Sequence, residues 1–257
     1  MTSSSDRRVL ITGGAAGIGL AIARAFRDQG ARVHVFDIDV AAVGRAKTDD
    51  ALSGSIVNMG DQTAVADAVS GVLADFGGLD VLVNNVGISG PSGPIETLDF
   101  DDWKQCIAIN LDGSFLCLRQ VVPAMKAAGS GAVINISSTA GLYGYANRSP
   151  YSAAKWAVVG LTKTLALELG PHGVRANCIC PGTVDGPRMD RVIAAEASVT
   201  GRTESDIRQG YADQSAMRSF IQADEIADMA VFLASDGAGK VNGQIISVDG
   251  FTEYSGS

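Results

Sequence analysis

Seven short runs of aliphatic and β-branched residues, nearly all apolar on both faces, alternate with longer stretches of helical periodicity along the chain. They are RVLIT (8–12), RVHVFD (32–37), SIVNM (55–59), DVLVNN (80–85), AVINISS (132–138), VRANCIC (174–180) and QIISVDG (244–250). A strand that is apolar on both faces must be covered on both, which is the condition of a parallel sheet with helices above and below. GLAIARAFRDQG (19–30), closing on a glycine, has the form of one crossover helix. The pattern predicts an α/β fold: a doubly wound, seven-stranded parallel sheet with helices on both faces. No repeat or Pro/Ser-rich linker interrupts the 257 residues, so a single domain spanning 1–257 is expected.

Composition excludes several functional classes. The net charge of −8 argues against a nucleic-acid partner, because such binding draws on excess lysine and arginine. Apolar runs stay well short of the ~18 residues that a membrane span requires, and MTSSSDRR has no apolar core after its charges, unlike a secretory signal. A cytoplasmic location is expected, with no membrane partner. The four cysteines (106, 117, 178 and 180) and two histidines (34 and 172) lack metal-ligand spacing. They are read as buried free thiols, and no metal is expected.

VLITGGAAGIGLAIARAF carries the first chemical signal: a strand, a glycine-rich turn and a helix. Gly13, Gly17 and Gly19 allow a tight turn and close approach of a pyrophosphate, which then rests at the positive end of the helix. A glycine fingerprint alone is weak evidence, but here it lies between a strand and a helix, and Asp37 closes the next strand. A carboxylate there accepts hydrogen bonds from the ribose hydroxyls and repels a 2′-phosphate. No lysine or arginine lies within GGAAG to attract that phosphate. The expected cofactor is NAD, held in a Rossmann-type site.

The second signal is YSAAK (151–155) at the start of a long helical run. Residues i and i+4 share a helix face, so Tyr151 and Lys155 point into one cleft. A free phenol holds its proton until about pH 10, and a neighbouring ammonium favours the phenolate. Hydride transfer leaves an alcohol proton that needs an acceptor, and such a phenol is suited to take it. Read in isolation, the same pair is compatible with a core tyrosine beside a lysine extended to solvent.

The order and spacing of these motifs resemble the short-chain dehydrogenases/reductases over essentially the whole chain. TGGAAGIG (12–19), NNVG (84–87), the IN ending at Asn110, the NISS ending at Ser138, YSAAK and the PG at 181–182 carry the resemblance. It implies that Ser138 polarises the substrate oxygen while Tyr151 moves the proton. Period-2 alternation turns Ser137 to the opposite face. It also implies that Asn110, mildly unfavourable inside a helix, distorts that helix and links Lys155 to solvent through a water. By the same resemblance Ile18, Asn58, Met59, Asn85, Pro181, Thr183 and Val184 join the glycines, Asp37, Tyr151 and Lys155 around the cofactor.

Departures from the family pattern concern cofactor contacts. Val86 replaces an alanine, and Gly186 stands where many members have a threonine that holds the nicotinamide amide, leaving Thr183 or backbone groups to substitute. Asn58 replaces the aspartate that usually meets the adenine and keeps a carbonyl acceptor. The resemblance further implies a homotetramer, with interfaces along helices at 101–127 and 151–170 and along the C-terminal strand and tail. Phe251 and Tyr254 in that tail are candidates to approach a neighbour's active site.

Substrate choice must be read from segments outside the shared motifs, since one fold serves many substrates. Residues 186–220 insert helical sequence, with five arginines and five acids, between the last two strands. They follow a strand's carboxyl end, where ligands of such sheets bind, and are read as a substrate flap. Arg148 lies at the entrance of the Tyr151 helix, and Arg188 and Arg191 begin the flap. Guanidinium groups clamp carboxylates. With only 6% aromatic residues and no apolar trough in the flap, the expected substrate is small, polar and anionic, a sugar acid or hydroxy acid. The bland alternative pairs these arginines with Asp185 and Asp190 as surface salt bridges. The alternatives in function are a 3-ketoacyl-thioester reductase, a neutral polyol or sugar dehydrogenase and a non-catalytic nucleotide-binding protein.

Overall fold

The computed structural model describes residues 7–252. Seven parallel strands form one sheet in the order β3-β2-β1-β4-β5-β6-β7. They are β1 (Arg8–Thr12), β2 (Arg32–Asp37), β3 (Ser53–Ile56), β4 (Val81–Asn84), β5 (Gly131–Ile136), β6 (Val174–Pro181) and β7 (Ile245–Val248). Between them run α1 (Gly17–Asp28), α2 (Val40–Asp49), α3 (Gln62–Phe76), α4 (Phe100–Ile107), α5 (Gly113–Ala128) and α6 (Ser149–Leu169). After β6 come α7 (Pro187–Thr200), α8 (Glu204–Ala212) and α9 (Ala223–Ala234). The doubly wound parallel sheet expected from the alternating pattern is the observed fold.

Side-chain alternation divides the apolar residues between two layers. Val9 and Ile11 of β1 face a cluster that includes Ile22, Phe26, Ile226 and Leu233. Leu10 between them faces the other way, with Phe36, Val65, Met125 and Leu169. Fully burying each such side chain contributes about 1.5–3 kcal/mol, so both faces of the sheet must be covered. Asp39, Asp61 and Asp99 cap the first turns of α2, α3 and α4 through their carboxylates. Gly77 closes α3 in the left-handed conformation, φ 69°.

Several strand ends depart from the sequence expectation. The run 55–59 is not a strand throughout: β3 starts at Ser53 and ends at Ile56, leaving Asn58 and Met59 beyond it. As an outer strand it pairs only with β2, and Asn58 Oδ1 accepts from the Gly60 N–H at 3.0 Å, turning the chain. β5 stops at Ile136, so Ser137 and Ser138 lie past the sheet, and β7 covers only Ile245–Val248.

The strand order reverses between β1 and β4. There Thr12 Oγ1, at the carboxyl end of β1, accepts from the N–H groups of Asn85 and Val86 at 3.0 and 3.1 Å. This pins the two loops that border the crevice where such sheets bind ligands.

Candidate active site

The glycine turn is built by close packing. Gly13 and Gly17 have φ of 60° and 52°, a region costly for other residues. A Cβ at Gly19 would stand 2.1 Å from the Gly13 carbonyl oxygen, so only glycine lets α1 seat against the turn. Asn85 Nδ2 donates to the Thr12 and Gly13 carbonyls at 3.1 and 2.9 Å. Open space lies above Gly17, and neither a side-chain cap nor an acid occupies the first turn of α1. Asp37 closes the far side: Oδ2 accepts from the Ala15 N–H at 3.1 Å and Oδ1 from the Asp39 N–H at 3.2 Å. A bare cradle, an open positive helix end and a fixed carboxylate fit a dinucleotide. Ile18 is half-buried beside them, Asn58 is exposed and Met59 is buried.

Tyr151 sits in the first turn of α6, with Arg148 as the N-cap and Pro150 in that first turn. Four residues on, Lys155 is 3% exposed. Its Nζ donates to the Ile136 carbonyl at 3.0 Å and lies 5.7 Å from the centre of the Tyr151 ring. A buried ammonium needs such partners. Ser138 is extended, and its Oγ accepts from the Ala140 N–H at 3.1 Å. Ser137 turns away, as alternation requires: its buried hydroxyl donates to the Lys155 carbonyl at 2.9 Å.

Asn110 lies in a wide π turn, Ala108–Asp112, between α4 and α5. Such turns insert one residue into a helix and are frequent at functional sites. The side chain is 1% exposed. Its Nδ2 donates to the carbonyls of Ile88 and Cys106 at 3.0 and 2.9 Å. Its Oδ1 is buried without a protein partner, which leaves an acceptor to be satisfied. Gly87 is why Asn110 and Lys155 can meet. A Cβ there would stand 2.6 Å from Asn110 Oδ1 and 3.3 Å from Lys155 Nζ. Gly87→Ala is therefore expected to lower kcat about 10- to 100-fold with the fold and cofactor affinity retained, the size of effect a displacement near 1 Å produces. Circular dichroism, cofactor titration and steady-state kinetics check it; wild-type kcat would mean that this junction does not matter.

The arginines depart from the salt-bridge alternative. Arg148 Nη2 donates to the Ser89 carbonyl at 3.0 Å, and its guanidinium lies 5.3 Å from the centre of the Tyr151 ring. Arg188 donates to the Ser89 hydroxyl from the other side. Asp185 and Asp190 pair instead with Arg208 of α8, Asp185 at 2.8 Å. That guanidinium holds the Asp185 carboxyl below the usual carboxylate range. Among the described residues, no acid forms an ion pair with Arg148, Arg188 or Arg191. Gly87, Ile88 and Ser89 line a cleft of about 420 Å³ with Arg188, Arg191 and Val192.

Pro181 ends β6, and Val184 bridges Ile221, whose N–H donates to the Thr183 carbonyl at 2.9 Å. This puts the 181–184 segment at the carboxyl ends of the strands. Phe251 is exposed elsewhere, in a groove with Met217 and Ile221, and Tyr254 lies outside the described residues. Ser89 and Arg208 were not singled out from the sequence. The only local hint was ISG following NNVG, which places a polar residue just past the crevice.

A family model described as enoyl-(acyl carrier protein) reductase matches residues 13–251. A cis-4-hydroxycyclohexanecarboxylate dehydrogenase of Sinomonas cyclohexanicum is 38% identical over 250 residues, which cover 96% of each chain. The chain belongs to the short-chain dehydrogenase/reductase family. A D-beta-hydroxybutyrate dehydrogenase of Rhizobium meliloti (strain 1021) is 36% identical, covering 95% of this short-chain dehydrogenase/reductase and 97% of that one. Among solved structures, an NAD+-bound xylitol dehydrogenase superposes with a TM-score of 0.89 at 28% identity, covering 95% and 98% of the two chains. An actinorhodin polyketide ketoreductase with NADPH gives 0.91 at 31%, covering 97% and 98%. As a member of this family, the chain is an oxidoreductase that interconverts secondary alcohols and ketones. No helix among the described residues is long and apolar enough to cross a membrane.

Proposed function

We propose that this short-chain dehydrogenase/reductase is an NAD-dependent dehydrogenase of small, polar, anionic alcohols, a hydroxy acid or sugar acid. The substrate reading rests on one observation: Arg148, without an acid partner among the described residues, is held by Ser89 beside the Tyr151 ring. The hydroxycyclohexanecarboxylate and hydroxybutyrate dehydrogenases are named for substrates that also carry a carboxylate and a secondary alcohol. The whole chain acts as one domain, with residues 186–220 as a flap over the site.

A nicotinamide dinucleotide held in the Gly13–Gly19 cradle would supply the hydride acceptor. Ser138 donates a hydrogen bond to the substrate oxygen and orients it. The Tyr151 phenolic oxygen takes the alcohol proton as general base, with the Lys155 ammonium beside it on the same helix face. Asn110 Oδ1 holds a water beside Lys155, and the proton leaves to solvent through that water. Arg148 and Arg188 receive the substrate carboxylate at the mouth of the cleft. Asp37 selects NAD by accepting from the ribose hydroxyls, and Asn58 offers an acceptor to the adenine. Pro181, Thr183 and Val184, with the Asn85 loop, would hold the nicotinamide end. The enzyme acts in the cytoplasm as a homotetramer, a reading supported by the exposed Phe115, Trp156 and Leu167 on α5 and α6.

A ketoacyl-thioester reductase is the second reading, favoured by the likeness to a polyketide ketoreductase with NADPH. Assaying hydroxy acids, neutral polyols and ketoacyl thioesters with both dinucleotides separates the two. NAD-dependent oxidation of hydroxy acids is expected to dominate, and NADPH-dependent thioester reduction would overturn the proposal. Arg148→Ala is expected to raise KM for the acid about 10- to 100-fold, as loss of a paired charge-assisted contact does. An unchanged KM would remove Arg148 from the substrate site.

A further inference from the structure

We infer that Arg208 acts as an internal decoy: by occupying Asp185 and Asp190 it keeps the arginines at the cleft free for an anionic substrate. The inference rests on the anionic-substrate reading and makes Arg208 a specificity-determining positioning residue that touches no reacting atom.

The stretch DGPRMDR (185–191) places two acids among two arginines. Asp185, three residues before Arg188, is the local acid within reach of that cation, whereas Asp190 and Arg191, adjacent in α7, do not face each other. The structure engages both acids from outside. Arg208 Nη1 donates to Asp185 Oδ1 at 2.8 Å, and Nη2 donates to Asp190 Oδ1. The Arg208 guanidinium also lies 5.0 Å from the centre of the Phe220 ring, which fixes the fork on its other face. One guanidinium thus bridges both carboxylates, an arrangement that a single ammonium reproduces poorly.

Arg188 is left in an unfavourable place. It follows Pro187, the first residue of α7, so its cation lies at the positive end of that helix. Its only described partner is the neutral Ser89 hydroxyl, the anchor that also carries Arg148 through its carbonyl. Arg188 is exposed and keeps a neutral partner, so its charge stays available to an anion that enters the cleft. The cleft lined by Ser89, Arg188 and Arg191 is where that anion fits. Exposed ion pairs contribute little to stability; here the pairing with Arg208 decides which charges remain available.

The test compares kcat/KM for 3-hydroxybutyrate and 4-hydroxycyclohexanecarboxylate with that for their methyl esters, using the full chain and NAD. Wild type is expected to prefer the acids. In Arg208→Gln the acid-to-ester preference is expected to fall about tenfold, the loss of one charge-assisted contact, with ester turnover unchanged. Adding Asp185→Asn and Asp190→Asn to Arg208→Gln should restore the preference, because no acid is left to capture Arg188. A merely structural latch would not be repaired this way, so a triple variant as indifferent as Arg208→Gln overturns the decoy role. Arg208→Gln with wild-type preference overturns it while leaving the anionic-substrate reading standing. Wild type preferring neither acid overturns both.

Discussion

Tyr151→Phe is expected to reduce turnover by at least about 10³-fold, near the upper range for a single acid–base group. The change removes one oxygen and leaves the ring between Arg148 and Lys155, whose cations lie 5.3 and 5.7 Å from its centre. Packing and the buried ammonium are therefore preserved, and NADH binding, followed by its fluorescence, should match wild type. Lys155 keeps its bond to the Ile136 carbonyl in either case. Turnover retained in this variant would mean that another group takes the alcohol proton. Loss of both turnover and NADH binding would instead assign Tyr151 a cofactor-holding role.

The second large effect concerns the choice of dinucleotide. Asp37→Asn keeps an acceptor for the Ala15 N–H, so the glycine turn stays closed, and removes the negative charge together with the acceptor for the Asp39 N–H. A phosphate forced to within about 4 Å of a carboxylate is disfavoured by roughly 2–4 kcal/mol at the effective dielectric of a protein surface. Removing that repulsion should raise kcat/KM for NADP by about 10²-fold. NAD should lose about tenfold, since a neutral acceptor holds the ribose hydroxyls less well. Matched kinetics with both dinucleotides measure the ratio, and an unchanged ratio would mean that Asp37 shapes the turn without selecting the cofactor.

The contrast between what the sequence disclosed and what it withheld follows the range of the interactions. The parallel sheet was legible because each strand carries its own burial pattern, and the glycine turn because its φ requirements are local. Tyr151 and Lys155 were legible because four residues of helix fix their common face. β3 was misjudged at both ends: an outer strand is less constrained by burial, and the Asn58 turn that ends it depends on one side-chain bond. The roles of Ser89 and Arg208 were invisible for a different reason. Arg188 meets Ser89 across 99 residues, and Arg148 meets it across 59. No local periodicity records such a meeting, so Asp185 and Asp190 were offered to the wrong arginines.

The wide turn at Ala108–Asp112 carries a consequence for how this chain would respond to selection for heat resistance. A regular helix running from α4 into α5 would keep one more unbroken ladder of backbone bonds than the bulged one does. Shortening the segment by one residue would supply that ladder and leave the helix beyond it in phase, because the wide turn is what absorbs the extra residue. Asn110, inside the widened turn, would leave its place beside Gly87. A one-residue shortening is thus the change by which this fold would settle into a more uniform rod and lose its chemistry. Libraries screened for melting temperature alone should be watched at this point of the chain.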